Sequence, residues 1–337
     1  MMKVIKGKKR VEDFMEWWFP ETTNNNKSKG AVIITGGDGQ LAQSMKFILN
    51  LRHMDFLFDY TYIFATREDL DITCKSSIKN YLSLFNDVKY VVNCAAYTNV
   101  NLCEKQAQYR KEAERVNAEG VKNLAEICKE RDIFLITIGT DYLYDGTNIP
   151  IKETDDFCPK TVYGKTKAVG IHSLENLWCD ESYENQKYLI INTSWLYSEY
   201  GNNFVKTIYN KLKDGQTPLV VINQIGCPTY APNLAHFIID FIENNYNERL
   251  NYSLIKEGNS RRINFSGMGT ATWYDIAIEI GESMGLSDKI SPDYRAHNDV
   301  IRPNYSIFDL TKATRLAGDF YFPHWRKDLK KCVKNLK

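Results

Sequence analysis

The sequence has 337 residues, with 43 lysines and arginines against 42 aspartates and glutamates, and a formal net charge of +1. This length suits about two domains, and a hydrophobic content of 43% is enough for a buried core. The balanced charge excludes a generally basic nucleic-acid-binding protein, and no apolar run reaches the roughly 18 residues of a membrane span.

The head of the chain, residues 1–29, differs from the rest and is predicted to be an N-terminal extension and linker. Its basic start lacks the continuous apolar core of a secretory signal, because acidic residues interrupt it. Helical spacing of apolar side chains predicts a short helix, carried by Val11, Phe14, Met15 and Trp18. Two interpretations stay open: a loosely attached extension, or a helix that docks on the body or on a second subunit.

From Gly30 onward, short apolar runs alternate with helix-like stretches. Strands are predicted at residues 31–34, 62–65, 89–94, 133–138 and 188–192, and helices at 41–51 and 111–130. Strands that are apolar throughout and separated by helices indicate a parallel sheet covered on both faces. We therefore predict an α/β fold with a Rossmann-type doubly wound sheet, whose ligand lies at the carboxyl ends of the strands.

A glycine-rich turn follows the first predicted strand and opens directly into a helix. Gly36 and Gly39 permit a tight turn and the close approach of a pyrophosphate, whose charge meets the helix N-terminus. After the second strand, Arg67 suits the 2′-phosphate of NADP, whereas the two acidic residues that follow it suit the ribose of NAD. NADPH is the predicted cofactor, with NADH as the alternative.

Tyr163 and Lys167 lie four residues apart, on one face of a predicted helix. A free tyrosine has a pKa of about 10, and an ammonium group one turn away would lower that pKa and favour proton transfer near neutrality. Thr140 follows the fourth predicted strand, where its hydroxyl could hydrogen-bond a substrate carbonyl. Together with the nucleotide loop, these residues predict a catalytic group of Thr140, Tyr163 and Lys167.

The eight cysteines include no C-x-x-C pair, and the five histidines add no zinc-finger spacing. In a chain without a recognisable secretory signal, the cysteines are typical of reduced thiols in a cytoplasmic protein. No metal site is predicted.

With these motifs in place, the sequence resembles the extended short-chain dehydrogenase/reductase superfamily, and within it the dTDP-4-dehydrorhamnose reductase family. The resemblance runs from about residue 31 to about residue 330 and is carried by ten segments: 36–42, 70–73, 93–100, 116–125, 139–146, 162–168, 193–197, 201–204, 224–235 and 302–312. It implies an NAD(P)-binding Rossmann domain at 30–190. It also implies a smaller α/β domain, mainly substrate-binding, at 191–337, with some segments returning to the Rossmann half.

The resemblance also implies roles for individual residues. The expected cofactor contacts are Gly39, Gln40 and Leu41 at the pyrophosphate, Asp71 and Ile72 at the adenine, and Cys94, Ala95 and Ala96 along the dinucleotide. Tyr163 would be the catalytic acid, and Lys167 would hold the nicotinamide ribose. The expected substrate contacts are Thr140, Asp141 and Trp195, with Arg302 as a bidentate partner for the diphosphate.

The implied reaction is reduction of the C4 keto group of a nucleotide-linked 4-keto-6-deoxy sugar, in nucleotide-rhamnose biosynthesis. The implied partner is the nucleotide sugar, with no nucleic acid and no membrane. Reductases of this kind are often dimers, so a homodimer is expected.

Three positions depart from the family pattern without suggesting new chemistry. Gly139 stands where the family commonly has a serine, and Gly170 is followed by Ile171 where Gly-Glu is common. Ser44 takes the place of an acidic residue that binds Mg²⁺ between subunits in some bacterial members. The metal is therefore not carried over.

Cys103 is the departure that bears on the reaction. The bacterial reductases usually have a small residue here, whereas a similar Cys-Glu pair occurs in bifunctional UDP-4-keto-6-deoxyglucose 3,5-epimerase/4-reductases of plants and large DNA viruses. A thiol near the sugar could move protons at C3 and C5; a half-buried packing cysteine is the other interpretation. A non-catalytic alternative also stays open, because the regulatory β subunit of methionine adenosyltransferase resembles the same reductases.

Overall fold

The computed structural model describes residues 28–53, 58–147, 149–244, 261–295, 301–318 and 322–336. The helix predicted near the N-terminus lies outside the described residues. At the end of the predicted linker, the Lys29 ammonium pairs with the Asp59 carboxylate at 2.6 Å, beside the second strand.

The strands come in the following order along the chain. They are β1 (Ala31–Thr35), β2 (Thr61–Phe64), β3 (Val88–Asn93), β4 (Phe134–Ile138), β5 (Tyr188–Thr193), β6 (Leu196–Tyr197), β7 (Leu219–Val221), β8 (Ile225–Gly226), β9 (Thr229–Tyr230), β10 (Arg262–Phe265), β11 (Ala271–Thr272), β12 (Ser291–Asp293) and β13 (Tyr305–Ser306). The five strands predicted from the sequence are confirmed to within one residue at each end.

Helices occupy the intervals between these strands. They are α1 (Gln40–His53), α2 (Lys75–Leu82), α3 (Val100–Lys105), α4 (Ala107–Ala113), α5 (Val121–Glu130), α6 (Val162–Leu177), α7 (Phe204–Lys213), α8 (Ala231–Glu243), α9 (Trp273–Met284), α10 (Thr311–Ala317) and α11 (Trp325–Leu336). A π-helical turn, Glu114–Gly120, joins α4 to α5, and a 3₁₀ turn, Asp141–Leu143, follows β4.

Six parallel strands form the large sheet, in the order β2-β1-β3-β4-β5-β10. Alternate side chains of β1 enter different cores, because successive residues of a strand point to opposite faces. Val32 and Ile34 pack with α1 and α8, whereas Ile33 packs with α5 and α6. The predicted doubly wound α/β fold is therefore confirmed. The chain crosses from one face to the other between β1 and β3, where such sheets bind their ligands.

The helix predicted over residues 111–130 is present, but its middle turn is π-helical rather than α-helical. The π-helical turn interrupts it and directs Asn117 inward, where its amide donates to the Tyr97 carbonyl at 2.9 Å and accepts from the Tyr97 N–H at 2.9 Å. A β-carbon at Gly170 would lie 2.1 Å from the Asn117 carbonyl oxygen, so α6 packs closely on this turn. Turns of this kind are rare and often mark functional sites.

Three small sheets and α7, α9 and α11 enclose a third core, which contains Trp325 and Ile280. The strands pair as β11-β8-β13, β12-β7 and β6-β9. Two other segments from the second half of the sequence lie on the large sheet: α8 packs against α1, and β10 pairs with β5.

Within the described ranges, none of the helices has the length and apolar character required to cross a bilayer. The same residues contain no cluster of three or more His, Cys, Asp or Glu arranged to hold a metal ion.

Candidate active site

The glycine-rich turn lies at the carboxyl ends of β1, β2 and β3. Gly36 has a φ of +62°, and a β-carbon there would be 2.9 Å from the Ala95 Cα atom, so only glycine suits this position. The Gly37 N–H donates to the Ala65 carbonyl at 2.8 Å. The turn is thus held against the ends of both neighbouring strands, and Gly36 lies against the backbone of Cys94 and Ala95.

The first turn of α1 presents backbone N–H groups that have no acceptor within the helix, which is the usual setting for a pyrophosphate. The Leu41 side chain is buried in the core, so only its backbone can take part. The Gln40 side chain is already engaged, since it donates to the Leu196 carbonyl at 3.2 Å and accepts from the Asn203 amide at 2.7 Å. Asn203, which sequence reasoning gave no role, therefore connects the start of α1, next to the glycine-rich turn, to the second half of the chain.

The predicted adenosine contacts lie beyond β2. Arg67, with 64% of its side chain exposed, pairs with Glu112 at 2.8 Å. Burial tends to raise the pKa of Asp71, but hydrogen bonds from Thr73 outweigh burial, so the pKa is lowered and the carboxylate is ionised. Ile72 packs its side chain in the core, so Asp71 is the accessible member of the predicted pair.

The predicted catalytic group is assembled at the carboxyl end of β4 and the start of α6. Thr161 caps α6 by accepting from the Gly164 N–H at 2.9 Å, and this capping begins the helix just before Tyr163. Thr140, Tyr163 and Lys167 are all buried, and Thr140 lies close enough to Tyr163 to lower the pKa of the phenol. The structure therefore brings the three residues together.

The expected effect of Lys167 on Tyr163 was wrong. Burial raises the pKa of Tyr163, and although Thr140 opposes this shift, the phenol holds its proton at neutral pH. Burial lowers the pKa of Lys167 to about 8, and its ammonium donates to the Ile138 carbonyl at 2.5 Å. A protonated phenol is nevertheless the form that an acid catalyst requires.

Asp141 lies beside this group, in the 3₁₀ turn. Its carboxylate accepts from the Thr140 hydroxyl at 3.1 Å and from the Ser306 hydroxyl at 2.6 Å. Burial raises the pKa of Asp141 to about 6, although these two hydrogen bonds oppose the shift. Ser306 had no predicted role, and its only signal in the sequence is its place in the segment 302–312.

Arg302 joins three segments at the mouth of the site. Its guanidinium donates to the Tyr142 hydroxyl at 3.0 Å and to the Asn101 side chain at 2.8 Å. The Tyr142 ring in turn meets Tyr163 edge-on, with ring centroids 5.4 Å apart. Arg302 thus contacts a neighbour of Tyr163, and guanidinium groups suit phosphate oxygens.

Trp195 is held rigidly at the boundary between the two halves. It has a φ of +48°, unusual for a bulky residue, and its indole stacks on Trp273 at 3.7 Å. A β-carbon at Gly226 would lie 2.6 Å from the Trp195 ring, so the strand β8 covers the indole edge closely. Trp273 completes the stack and was missed, because the two tryptophans are far apart in sequence.

Cys103 lies on α3, fully buried, and close enough to the catalytic group for a charge on its sulfur to act on the pKa of Tyr163 and of Tyr97. Burial, followed by the charge of Glu104, raises the pKa of Cys103, so the thiol is protonated at neutral pH. Glu104 fixes α3 by accepting from the Val162 N–H at 2.5 Å, at the start of α6.

The absence of a side chain at Gly139 leaves room for Asn192 on the neighbouring strand β5. A β-carbon at Gly139 would be 2.1 Å from the Asn192 Oδ1 atom, which is buried and has no hydrogen-bond partner. The serine that the family commonly has here would require Asn192 to move.

Comparison with known proteins gives consistent results. The family model described as RmlD substrate binding domain matches residues 30–337. The chain is 32% identical over 312 residues to dTDP-4-dehydrorhamnose reductase of Aggregatibacter actinomycetemcomitans, covering 89% of this chain and 97% of the relative. It is 29% identical over 297 residues to dTDP-4-keto-6-deoxy-D-glucose reductase of Streptomyces niveus, covering 87% and 93%. Among solved structures, dTDP-4-dehydrorhamnose reductase from Bacillus anthracis in complex with NADP has a TM-score of 0.75 and 29% identity, covering 91% of this chain and 99% of that one.

Proposed function

The chain belongs to the dTDP-4-dehydrorhamnose reductase family, and on this premise we propose that it reduces the C4 keto group of a nucleotide-linked 4-keto-6-deoxy sugar with NADPH. One observation carries the proposal. The buried group of Thr140, Tyr163 and Lys167 stands at the same edge of the sheet as the glycine-rich turn.

The residues of the dinucleotide site fit NADPH. The positive φ of Gly36 and the free N–H groups at the start of α1 suit a pyrophosphate, and the exposed Arg67 suits a 2′-phosphate. When bound, NADPH supplies the hydride for the carbonyl carbon.

The chain's own residues act on the carbonyl oxygen. Tyr163 holds its proton at neutral pH and donates it as negative charge develops on the oxygen, which gives the C4 hydroxyl. Thr140 contacts Tyr163, and its hydroxyl proton, which Asp141 accepts while Tyr163 is protonated, is available to the phenolate that remains. The Lys167 ammonium, held by the Ile138 carbonyl, lies one turn away on the same helix face and is placed to hold the nicotinamide ribose.

The test is to mix purified protein and NADPH with dTDP- and UDP-linked 4-keto-6-deoxy sugars and follow the absorbance of the reduced nicotinamide. We expect the absorbance to fall with at least one of the two. Protein that oxidises NADPH with neither sugar would refute the proposal and favour the non-catalytic regulatory alternative.

We expect Arg67→Ala to raise KM for NADPH on the order of tenfold while leaving KM for NADH unchanged, since a charge-assisted contact to the 2′-phosphate is lost. Initial rates with both cofactors check this. The matched control is Arg131→Ala, at the end of α5, where the guanidinium donates to a backbone carbonyl. An equal rise in KM for both cofactors would contradict the role of Arg67.

A second candidate function adds 3,5-epimerisation, and the position of Cys103 favours it. The C4 keto group makes the protons at C3 and C5 acidic, so a base removes a proton and an acid returns one to the opposite face. Cys103 is protonated and close to Tyr163, so its thiol is placed to return a proton. The chain would then make UDP-rhamnose without a separate epimerase.

We expect Cys103→Ala to abolish rhamnose formation from the unepimerised UDP-4-keto-6-deoxyglucose while leaving reduction of the pre-epimerised sugar intact. Product analysis by chromatography and NMR checks this. Cys128→Ala, a buried thiol on α5, is the control. Wild-type protein that forms no rhamnose product from the unepimerised sugar is a reductase alone.

We also propose that the protein works in the cytoplasm as a homodimer. All eight cysteines are free thiols, which supports a reducing compartment. Light scattering after size exclusion measures the oligomeric state.

A further inference from the structure

Ser306 is a buried residue of the second half that contacts Asp141, beside the proposed catalytic group. It lies on β13, which pairs with β8, and the Cys227 N–H donates to its carbonyl at 3.2 Å. Its hydroxyl donates to the Asp141 Oδ2 atom at 2.6 Å, across 165 residues of sequence. The backbone on both sides of this bond is therefore held by sheet or turn contacts.

The hydrogen bond from Ser306 to Asp141 is the first of a series of contacts that continues through Thr140 to Tyr163. Thr140 gives its single hydroxyl proton to the Asp141 Oδ1 atom at 3.1 Å. The oxygen of Thr140 is then an acceptor, which the Tyr142 N–H occupies at 3.3 Å on one side and which Tyr163 contacts as well. The orientation of the Thr140 hydroxyl thus depends on the Asp141 carboxylate, and that carboxylate is fixed by Ser306.

We propose that Ser306 is a positioning residue for the acid catalyst: by fixing the Asp141 carboxylate it holds the Thr140 hydroxyl, so that the Thr140 oxygen faces Tyr163, and it links the second half of the chain to proton transfer. This proposal rests on the proposed reductase function. In this proposal Asp141 holds the Thr140 hydroxyl, and β13 contributes by carrying Ser306, which holds Asp141.

The charges around Asp141 determine how the link responds to pH. The positive charge of Arg302 lowers the pKa of Asp141. The negative charge of Asp141 in turn raises the pKa of Tyr142, Tyr163 and Cys227. Only the ionised carboxylate accepts from both hydroxyls, so activity is expected to fall as pH drops through about 6. The Ser306 hydrogen bond lowers the pKa of Asp141, so removing it moves this fall to higher pH.

The experiment compares wild type, Ser306→Ala, Ser306→Thr and the control Ser266→Ala, another buried serine, which donates to the Gly267 carbonyl. Each full-length protein is assayed for kcat and KM across the pH range of Asp141 ionisation. In parallel, the ¹³C signal of the Asp141 carboxyl is titrated by NMR. We expect Ser306→Ala to lower kcat on the order of tenfold with little change in KM. We also expect it to shift two midpoints to higher pH: that of the loss of activity on the acid side, and that of the Asp141 titration followed by NMR. Ser306→Thr should restore them, and Ser266→Ala should match wild type.

Two results would overturn the proposal. One is an unchanged NMR midpoint in Ser306→Ala. The other is a loss of activity that Ser306→Thr does not restore and that leaves the acid limb in place, since that pattern belongs to a purely structural residue. If wild type oxidises no NADPH while the midpoint still moves, the reductase function fails and the catalytic part of this proposal falls with it, whereas the contact itself is verified.

Discussion

Replacing Tyr163 by phenylalanine is expected to lower kcat by about 10²–10⁴-fold, because general acid catalysis typically contributes that much. The change removes only the phenolic oxygen from a buried ring that packs edge-on against Tyr142. The fold and the NADPH site should therefore persist. Steady-state rates with the 4-keto sugar, together with NADPH titration by fluorescence, separate the loss of chemistry from a loss of binding.

The control for this prediction is Tyr188→Phe, which removes a phenol from another buried tyrosine, on β5 beside Trp178. It should leave kcat close to that of wild type. Activity that survives unchanged in Tyr163→Phe would refute the assignment of Tyr163 as the acid. Loss of NADPH binding in that variant would instead show that the phenolic hydroxyl contributes to holding the cofactor, so that the fall in activity is not a loss of chemistry alone.

The large sheet was predictable from local pattern, because its strands are short apolar runs bounded by polar turns. Val32, Ile33 and Ile34 are all buried, so the run is continuous rather than alternating, as in a sheet covered on both faces. The glycine-rich turn was equally predictable, because a glycine stands where the backbone has a positive φ and approaches Ala95 closely. The π-helical turn around Asn117 could not be predicted, because the hydrogen bonds that Asn117 makes there are with Tyr97, on another segment.

The predicted site residues were those that belong to recognisable motifs. The missed residues contact the site from segments that are distant in sequence. Ser306 reaches Asp141 from a strand far along the chain, and Trp273 reaches Trp195 in the same way. The spacing of Tyr163 and Lys167 placed both on one helix face, but it did not show that burial outweighs charge at Tyr163. Burial depends on the whole fold, so its effect on a pKa could not be deduced from spacing.

Gly164, between Tyr163 and Lys167, sets how closely α6 approaches the 3₁₀ turn that carries Asp141. A β-carbon at Gly164 would lie 2.2 Å from the Tyr142 carbonyl oxygen and 3.1 Å from the Pro159 Cβ atom. The first of these contacts is with backbone, so no change of side-chain rotamer relieves it. Alanine at this position therefore requires α6 and the turn to move apart.

We expect Gly164→Ala to lower the free energy of unfolding by about 1–3 kcal/mol and kcat by roughly 10²-fold, because overpacking strains the core and a shift near 1 Å misplaces the acid. Urea unfolding and steady-state kinetics measure the two effects. Lys165→Ala, at the next and exposed position of α6, should change neither. Wild-type kcat in Gly164→Ala would show that the helix does not need this approach. The expected loss of kcat, with Tyr163 and Thr140 both unchanged, would show that catalysis depends on the distance between α6 and the turn, because Thr140 on the turn contacts Tyr163 on α6.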